Sequence, residues 1–342
     1  MAARNIVGLD IGSKFVKAVQ LTETSGHYKI TEFGIAEVSP QVSVADVVDE
    51  LFRKKAFKTK RVVTAVSGRF VFVRYISMPV MTDEELINAA KYELGKYIPV
   101  EVDEVLHDSQ KLEELAAQEG QEPEMRVLLV AAKRTFIDEH VAVLETAGLQ
   151  PAVVDVDSFA LGNAYELSGS INPQAVAQGK LVALVDIGAS KTNINIMSDT
   201  VSYFTREFYK GGDDLTDAIS KKLSLEAKEA EGFKRNPGGE MDKLQDAITG
   251  VLDEICHDIN ISLDYFENQY DKKVEEIYVT GGASDTPGLP ETLERTVQKP
   301  VNRWNPLQHL EADMPKDSAQ EMQDHAALGA VALGLASRIR RD

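Results

Sequence analysis

Two short runs place a carboxylate, a glycine and small polar residues at the end of an apolar segment. The first is LDIGSKFVK, with Asp10, Gly12, Ser13, Lys14 and Lys17. The second is VDIGASKT, with Asp186, Gly188, Ala189, Ser190 and Thr192. These residue types in this order suit a polyphosphate. Successive backbone N–H groups in a glycine turn form a concavity for anions, and glycine lets the backbone approach without a Cβ in the way. Lys14 and Lys17 offer ammonium groups to phosphate oxygens, although a solvated strand face competes as the reading of Lys14. A carboxylate beside a polyphosphate calls for a cation, and Asp with phosphate oxygens and water is a common Mg²⁺ environment. One copy alone reads as ordinary Asp-x-Gly turn chemistry. Two copies, each with the same apolar lead and a second β-rich run after it, predict two hairpins clamping one anion. LDIGSK, Leu9 to Lys14, aligns with VDIGASK, Val185 to Lys191, with 176 residues from Asp10 to Asp186. Two more glycine runs follow the second copy. Gly211–Gly212 lies in YKGGDDL, and Gly281, Gly282, Ala283 and Ser284 lie in VTGGAS, each positioned before a helix. Either alone is weak, since glycine pairs are common in loops.

The elements that must hold these runs follow from periodicity. Strand patterns cover Ile6 to Asp10, Phe15 to Leu21 and YKITEFGIAEV. A helix follows over 43–55, then the strand RVVTAVSG. From about Phe70 the texture reads β-α-β-β-α. Thr82 with Glu85 three residues later is a capping-box signature, a polar loop covers 116–124, and Gly148 closes the last helix of the piece. DVDSFALGNAYEL returns to strand and helix, SINPQAVAQGK is a turn-rich linker, and the second lobe opens at Leu181. Over 241–270 apolar residues recur at steps of three and four from Leu244 to Tyr270, which predicts one long amphipathic helix. QDHAALGAVALGLASRI reads as a single final helix.

The 342 residues exceed one ordinary core, so two lobes are expected. A formal charge of −18 gives no sign of a nucleic-acid binder, which would show a basic face. The single cysteine, Cys256, permits no internal disulfide, fits a reducing compartment, and reads as a core residue of a helix. MAARNIVGLDIG shows no signal-peptide pattern and no apolar run is long enough to span a bilayer, so a cytoplasmic location is the expectation.

Taken in order, the motifs resemble the actin-like ATPase superfamily, with phosphate loops at Asp10 and Asp186 and an adenosine loop at Gly281–Ser284. The inserted piece resembles the FtsA-type subdomain. DVDSFALGNAYE, KGGDDLTDAISKKLSLEAKEAEGFK, the long helix ending ISLDYF, and VTGGASDTPGL followed by NRWNPLQHL are similar to the PilM family of type IV pilus assembly. The resemblance implies an α/β actin-like ATPase fold, two lobes of duplicated ribonuclease-H-like domains around a nucleotide cleft. It implies a first-lobe core at 1–69 and 153–180, an inserted subdomain at 70–152 and a second lobe at 181–342, with the last helix packing back on the first lobe.

By the same resemblance, ATP or ADP with Mg²⁺ would be the cofactor. Asp10 and Asp186 would position the metal through waters. Gly12, Ser13, Lys14 and Lys17 would hold phosphates from one side, and Gly188, Ala189, Ser190 and Thr192 from the other. Gly211, Gly212, Glu231 and Lys234 would border ribose and base, with Gly281, Gly282, Ala283 and Ser284 on the adenosine. The implied partners are the N-terminal cytoplasmic tail of PilN, the pilus motor ATPases and other inner-membrane platform proteins, with no nucleic acid and membrane contact only through partners. Self-association stays open. One departure counts against turnover: the acid that often follows the threonine of the second loop is Asn193 here, so binding is the expectation and hydrolysis is left open. Two alternatives stand beside this reading. One is an FtsA-like filament former. The other is a small-molecule kinase using Asp155 or Asp157 as its base.

Overall fold

The computed structural model describes residues 4–115 and 122–338, so most of the polar loop read at 116–124 and the last four residues lie outside the described residues. The chain divides into two compact units, Met1–Ala65 with Ala147–Asp342, and Val66–Thr146.

In the larger unit, β1 (Arg4–Ile11), β2 (Phe15–Thr24) and β3 (His27–Glu37) form a meander, followed by α1 (Val44–Lys54) and β4 (Arg61–Val66). The smaller unit contributes β5 (Val71–Pro79), α2 (Asp83–Leu94), β6 (Val105–Glu114), β7 (Glu124–Lys133) and α3 (Arg134–Thr146). The chain re-enters the larger unit with β8 (Gln150–Val156) and α4 (Asp157–Ile171). Then come β9 (Leu181–Ile187), β10 (Thr192–Ser198), β11 (Val201–Phe208), α5 (Gly212–Leu223), α6 (Ala227–Arg235) and α7 (Met241–Tyr270). The last elements are β12 (Glu276–Thr280), α8 (Leu289–Val297), β13 (Val301–Arg303), β14 (Glu311–Ala312), α9 (Lys316–Asp324) and α10 (Ala330–Ala336).

The larger unit holds two sheets, ordered β14-β3-β2-β1-β4-β8 and β11-β10-β9-β12-β13. Without the short β14, the two orders are the same: an antiparallel meander whose first strand pairs in parallel with a later strand. The duplicated sentence in the sequence is therefore a duplicated sheet. β1 and β9 read as near-continuous apolar runs because both faces of each sheet are covered. One core lies under the second sheet, where Ile248, Leu252, Ile259 and Phe266 of α7 meet Val185, Ile194 and Ile277. Cys256 is buried in this core, and burial pushes its thiol up to about 12. Another core joins Val19, Leu21 and Phe33 of the first sheet to Leu161, Leu184, Trp304 and Leu333.

The final segment differs from the single helix the sequence pattern predicts. It breaks after Asp324, makes one 3₁₀ turn over Ala326–Gly329, and resumes as α10. The break has a use: the Ala327 carbonyl accepts from the Gly281 amide at 3.0 Å and from the Thr280 hydroxyl at 2.9 Å. An uninterrupted helix would spend that carbonyl on its own ladder. α10 then lies against β1 and α4 at backbone contact. A Cβ on Gly8 would fall 1.9 Å from the Ala332 carbonyl oxygen, and one on Gly334 would fall 1.7 Å from that of Ala160.

The smaller unit is a three-stranded antiparallel sheet, ordered β5-β7-β6. Leu86, Ala90 and Leu94 of α2 pack on Phe72, Ile76, Met125 and Val127. The capping box of α2 is present, with the Glu85 amide donating to the Thr82 hydroxyl at 3.3 Å and the Thr82 amide donating to the Glu85 carboxylate at 2.9 Å. Gly148 takes a φ of +70° two residues beyond α3.

Candidate functional site

Both Asp-x-Gly runs sit at the tight turns of equivalent hairpins, β1–β2 and β9–β10. Each turn closes in the same way: the Gly12 amide donates to the Phe15 carbonyl at 3.0 Å, and the Gly188 amide donates to the Lys191 carbonyl at 2.9 Å. Register then sets Asp10 opposite Lys17 and Asp186 opposite Asn193. This corrects the alignment of the two final lysines. Lys191 stands at the level of Phe15, and Asn193 occupies the place that Lys17 holds in the first hairpin. The sequence pattern misleads because it counts from Asp to the next lysine, whereas the ladder counts cross-strand pairs.

The two turns meet. The Ser190 hydroxyl donates to the Ser13 hydroxyl at 2.9 Å. Lys14 reaches from the first hairpin to Glu231 at 3.1 Å and Asp213 at 3.7 Å. Lys17 pairs with Asp10 at 2.6 Å. The glycine loops pack on the second turn. The Gly212 and Asp213 amides donate to the Gly188 and Ala189 carbonyls at 2.9 and 2.8 Å, and the Ala283 amide donates to the Ile187 carbonyl at 3.0 Å. Gly211 is required by this approach, since a Cβ there would lie 2.6 Å from both the Gly188 and Ala189 carbonyl oxygens. Gly281 is required twice over. Its φ is +93°, and a Cβ would lie 2.2 Å from an Asp186 carboxylate oxygen.

Some residues singled out from sequence have their polar groups already engaged. Thr192 is fully buried and its hydroxyl donates to the Lys210 carbonyl at 2.9 Å. The Ser284 hydroxyl donates to the Gly281 carbonyl at 2.7 Å, which closes its own turn, while Gly282 is exposed. Lys234 is buried and its ammonium donates to the Gly212 carbonyl, the Thr216 hydroxyl and the Glu231 carboxylate at 2.7–2.8 Å. Glu231 also accepts from Thr216 at 2.7 Å and from Arg235 at 2.8 Å. Burial alone would raise the Glu231 carboxyl. The hydrogen bond and charge of Lys234, with Thr216 and Arg235, hold it instead well below the usual carboxylate range. Burial lowers Lys234 in turn, against the pull of Glu231.

Asp186 is the electrostatic centre of the site. Burial, then the charges of Asp10 and Asp157, push its carboxyl up to about 6, against Lys17 and Lys191. An anionic pair of this kind is held together more easily with a cation between its members. Among the described residues, no group of three or more His, Cys, Asp or Glu side chains is arranged to hold a metal ion.

A second polar network under Asp186 was not legible from sequence. Lys191 donates to Asp157 at 2.5 Å and to Glu207 at 2.8 Å, and the Asn193 amide donates to the same Asp157 oxygen at 2.9 Å. Burial would lower the Lys191 ammonium, but Asp157 and Glu207 outweigh it and hold it above the usual lysine range. These four side chains come from the turn before β10, from β10 and β11, and from the first residue of α4. The one local signal was a lysine just after the second turn. Asp157 is thus engaged by a cation and an amide, and Asp155 lies 3.5 Å from Arg338. Both acids weighed as a kinase base already face cations.

The chain matches the family described as Type IV pilus assembly protein PilM over residues 8–340. The solved PilM-PilN type IV pilus biogenesis complex is similar to it, with a TM-score of 0.82 and 28% identity over 97% of this chain and 98% of that one. The cell division protein FtsA of Streptococcus pneumoniae serotype 2 (strain D39 / NCTC 7466) is 24% identical over 263 residues. That match covers 68% of this chain and 55% of FtsA, so the chain spans about half the length of the curated relative it matches. MreB 5 of Spiroplasma citri, solved bound to AMPPNP, has a TM-score of 0.51 at 12% identity, over 99% of this chain and 96% of that one. These likenesses identify the fold as that of the actin-like ATPases.

Proposed function

The chain belongs to the Type IV pilus assembly protein PilM family, and from that premise we propose that it is a nucleotide-binding scaffold of pilus assembly. ATP or ADP with Mg²⁺ would occupy the cleft between the two hairpins, and the N-terminal cytoplasmic tail of PilN would be its membrane-borne partner. The observation that carries the nucleotide reading is the meeting of two equivalent Asp-x-Gly turns at Ser13 and Ser190, with Asp10 acting on Asp186. Magnesium would supply the positive charge that offsets both these carboxylates and the polyphosphate. Asp10 and Asp186 would hold the hydrated metal. The Gly12 and Gly188 turns would offer backbone N–H groups, and Lys14 and Lys17 would exchange carboxylate partners for phosphate. Gly211, Gly212, Glu231 and Lys234 would border ribose and base, with Gly281–Ser284 on the adenosine.

The partner reading is supported by likeness to a structure that contains PilM with PilN. Through PilN the protein would sit at the cytoplasmic face of the inner membrane and connect to the motor ATPases and the platform. Among the described residues no helix is long and apolar enough to cross a membrane, which suits attachment by a partner. Closure of the two hairpins on nucleotide would be the change that partners read. The test is calorimetric titration with Mg-ATP, then with the PilN tail peptide, using the wild type and Asp10→Ala. The expected result is nucleotide binding by the wild type alone, and peptide binding at micromolar concentration. Failure to bind Mg-ATP at about 1 mM, where binding free energy is only about 4 kcal/mol, refutes the nucleotide reading. Absence of peptide binding at tens of micromolar refutes the partner reading. Likeness to FtsA supports a second reading as a filament former, and sedimentation with and without ATP separates the two.

A further inference from the structure

Acidic side chains outnumber basic ones 55 to 37 in this chain. Yet residues 53–61, Arg-Lys-Lys-Ala-Phe-Lys-Thr-Lys-Arg, carry six cations and no acid. The run leaves the last turn of α1 and leads into β4. It is not a loose tail. The Ala56 amide donates to the Glu32 carboxylate at 3.0 Å and the Lys58 amide donates to the Gln20 carbonyl oxygen at 2.6 Å. Both Glu32 and Gln20 are fully buried. Gln20 is itself fixed by Thr31 at 2.6 Å, and the second Glu32 oxygen accepts from the Phe33 amide at 3.0 Å. The Arg61 amide donates to Thr59 at 3.0 Å, and Phe57 stacks on the buried Phe52 with ring centroids 4.5 Å apart. Two buried polar side chains, which are costly to bury, thus hold one surface loop in a single conformation.

The cations divide into two groups. Arg53 and Lys54 pair with Asp49 and Glu50 one turn back, and Lys55 pairs with Glu321. Lys58, Lys60 and Arg61 are exposed, and among the described residues none has a carboxylate within ion-pair distance. Lys60 lies over the Phe52 ring at 5.1 Å. We propose that this loop is a docking surface for an anionic bilayer, with Lys58, Lys60 and Arg61 meeting phospholipid headgroups.

A headgroup layer asks only for clustered positive charge near its surface. A peptide asks for more, and this loop offers little of it: its aromatic rings pack on each other, and from 43 to 69 no large apolar side chain is exposed among the described residues. The overall charge does not defeat the contact, because salt screens acids lying beyond about 8 Å of the surface. The proposal stands apart from the partner peptide. It assigns the chain a membrane contact of its own, one that would orient the protein once a partner has brought it there.

The experiment uses the full chain with no peptide and no nucleotide. Co-sedimentation is measured with vesicles of phosphatidylcholine alone and with about one-third phosphatidylglycerol. The wild type is expected to pellet only with phosphatidylglycerol, and to be released as salt approaches about 1 M, where screening is complete within about 3 Å. The variant Lys58→Ala/Lys60→Ala/Arg61→Ala is expected to partition about a hundredfold more weakly, from three cations near a charged surface. Lys221→Ala/Lys222→Ala/Lys228→Ala removes the same charge elsewhere and is expected to partition like the wild type. Circular dichroism establishes that each variant is folded. Equal pelleting with both vesicles, no pelleting of the wild type, an unchanged loop variant, or equal loss in the control variant each overturns the proposal. Binding of a polyglutamate peptide, lost in the loop variant, together with no vesicle binding, would reassign the loop to an acidic protein partner.

Discussion

Asp186→Asn tests the electrostatics of the cleft most directly. In the metal-free protein, burial and Asp10 push the Asp186 carboxyl from 3.8 to about 6. At about 1.4 kcal/mol per unit, ionised Asp186 therefore costs the folded state roughly 3 kcal/mol near neutral pH. The residue keeps partial exposure, so this figure is a ceiling, and roughly 1–3 kcal/mol is expected. The sign follows from linkage. A carboxyl with a raised folded-state pKa takes up its proton more readily when folded, so the native state is favoured as pH falls from about 6 toward 3.8. The neutral amide escapes the penalty at every pH. Asp186→Asn should therefore be more stable than the wild type at about pH 7.5, and its advantage should shrink by about a quarter at about pH 5.5. Urea denaturation at both pH values, with EDTA and no nucleotide, reads the difference. Addition of Mg-ATP should reverse the ranking, stabilising the wild type and leaving the variant unchanged. A variant that is equally stable or less stable at about pH 7.5, with no pH dependence in the difference, would refute the reasoning.

Other substitutions probe neighbouring contacts. Lys17→Met removes the partner of Asp10 and a phosphate ligand of the proposed site. Nucleotide affinity should fall about 10- to 100-fold by titration, the worth of one hydrogen bond to a charged group. Gly334→Ala drives a Cβ to 1.7 Å from the Ala160 carbonyl oxygen, and displacing α10 from α4 should cost about 2–3 kcal/mol in urea denaturation. Glu231→Gln leaves Lys234 buried without its carboxylate. With 18% of the Glu231 side chain exposed, a loss near about 2 kcal/mol is expected rather than the full cost of breaking a buried pair. Because this carboxyl is held low when folded, its contribution is present above the ordinary carboxylate range and lost as pH falls below it. Wild type and variant should thus converge in acid melts.

The two hairpins were legible because everything that makes them is local. Apolar runs rich in Val, Ile and Leu build the strands, and a glycine two residues after each aspartate turns the chain. The long helix 241–270 was legible for the same reason, since its apolar spacing is written in one continuous stretch. Register was less accessible. The lysine of the second copy looked equivalent to Lys14, and only the ladder places Asn193 opposite Asp186 as Lys17 stands opposite Asp10. The break before α10 was missed because its cause is a carbonyl required by Thr280 and Gly281, more than forty residues earlier.

By itself, then, the sequence determined that there are two acid–glycine turns, what flanks them, and that two similar sheets carry them. Those properties depend on neighbours along the chain. Tertiary structure alone decided that Lys191, Asn193, Glu207 and Asp157 share one buried network, that Glu231 gathers four donors, and that Lys58, Lys60 and Arg61 stand on a loop fixed by buried Glu32 and Gln20. Each of these needs at least one polar group brought in from a distant position in the chain. Pattern along one chain cannot state that, because partner choice among buried polar groups is settled by packing and desolvation.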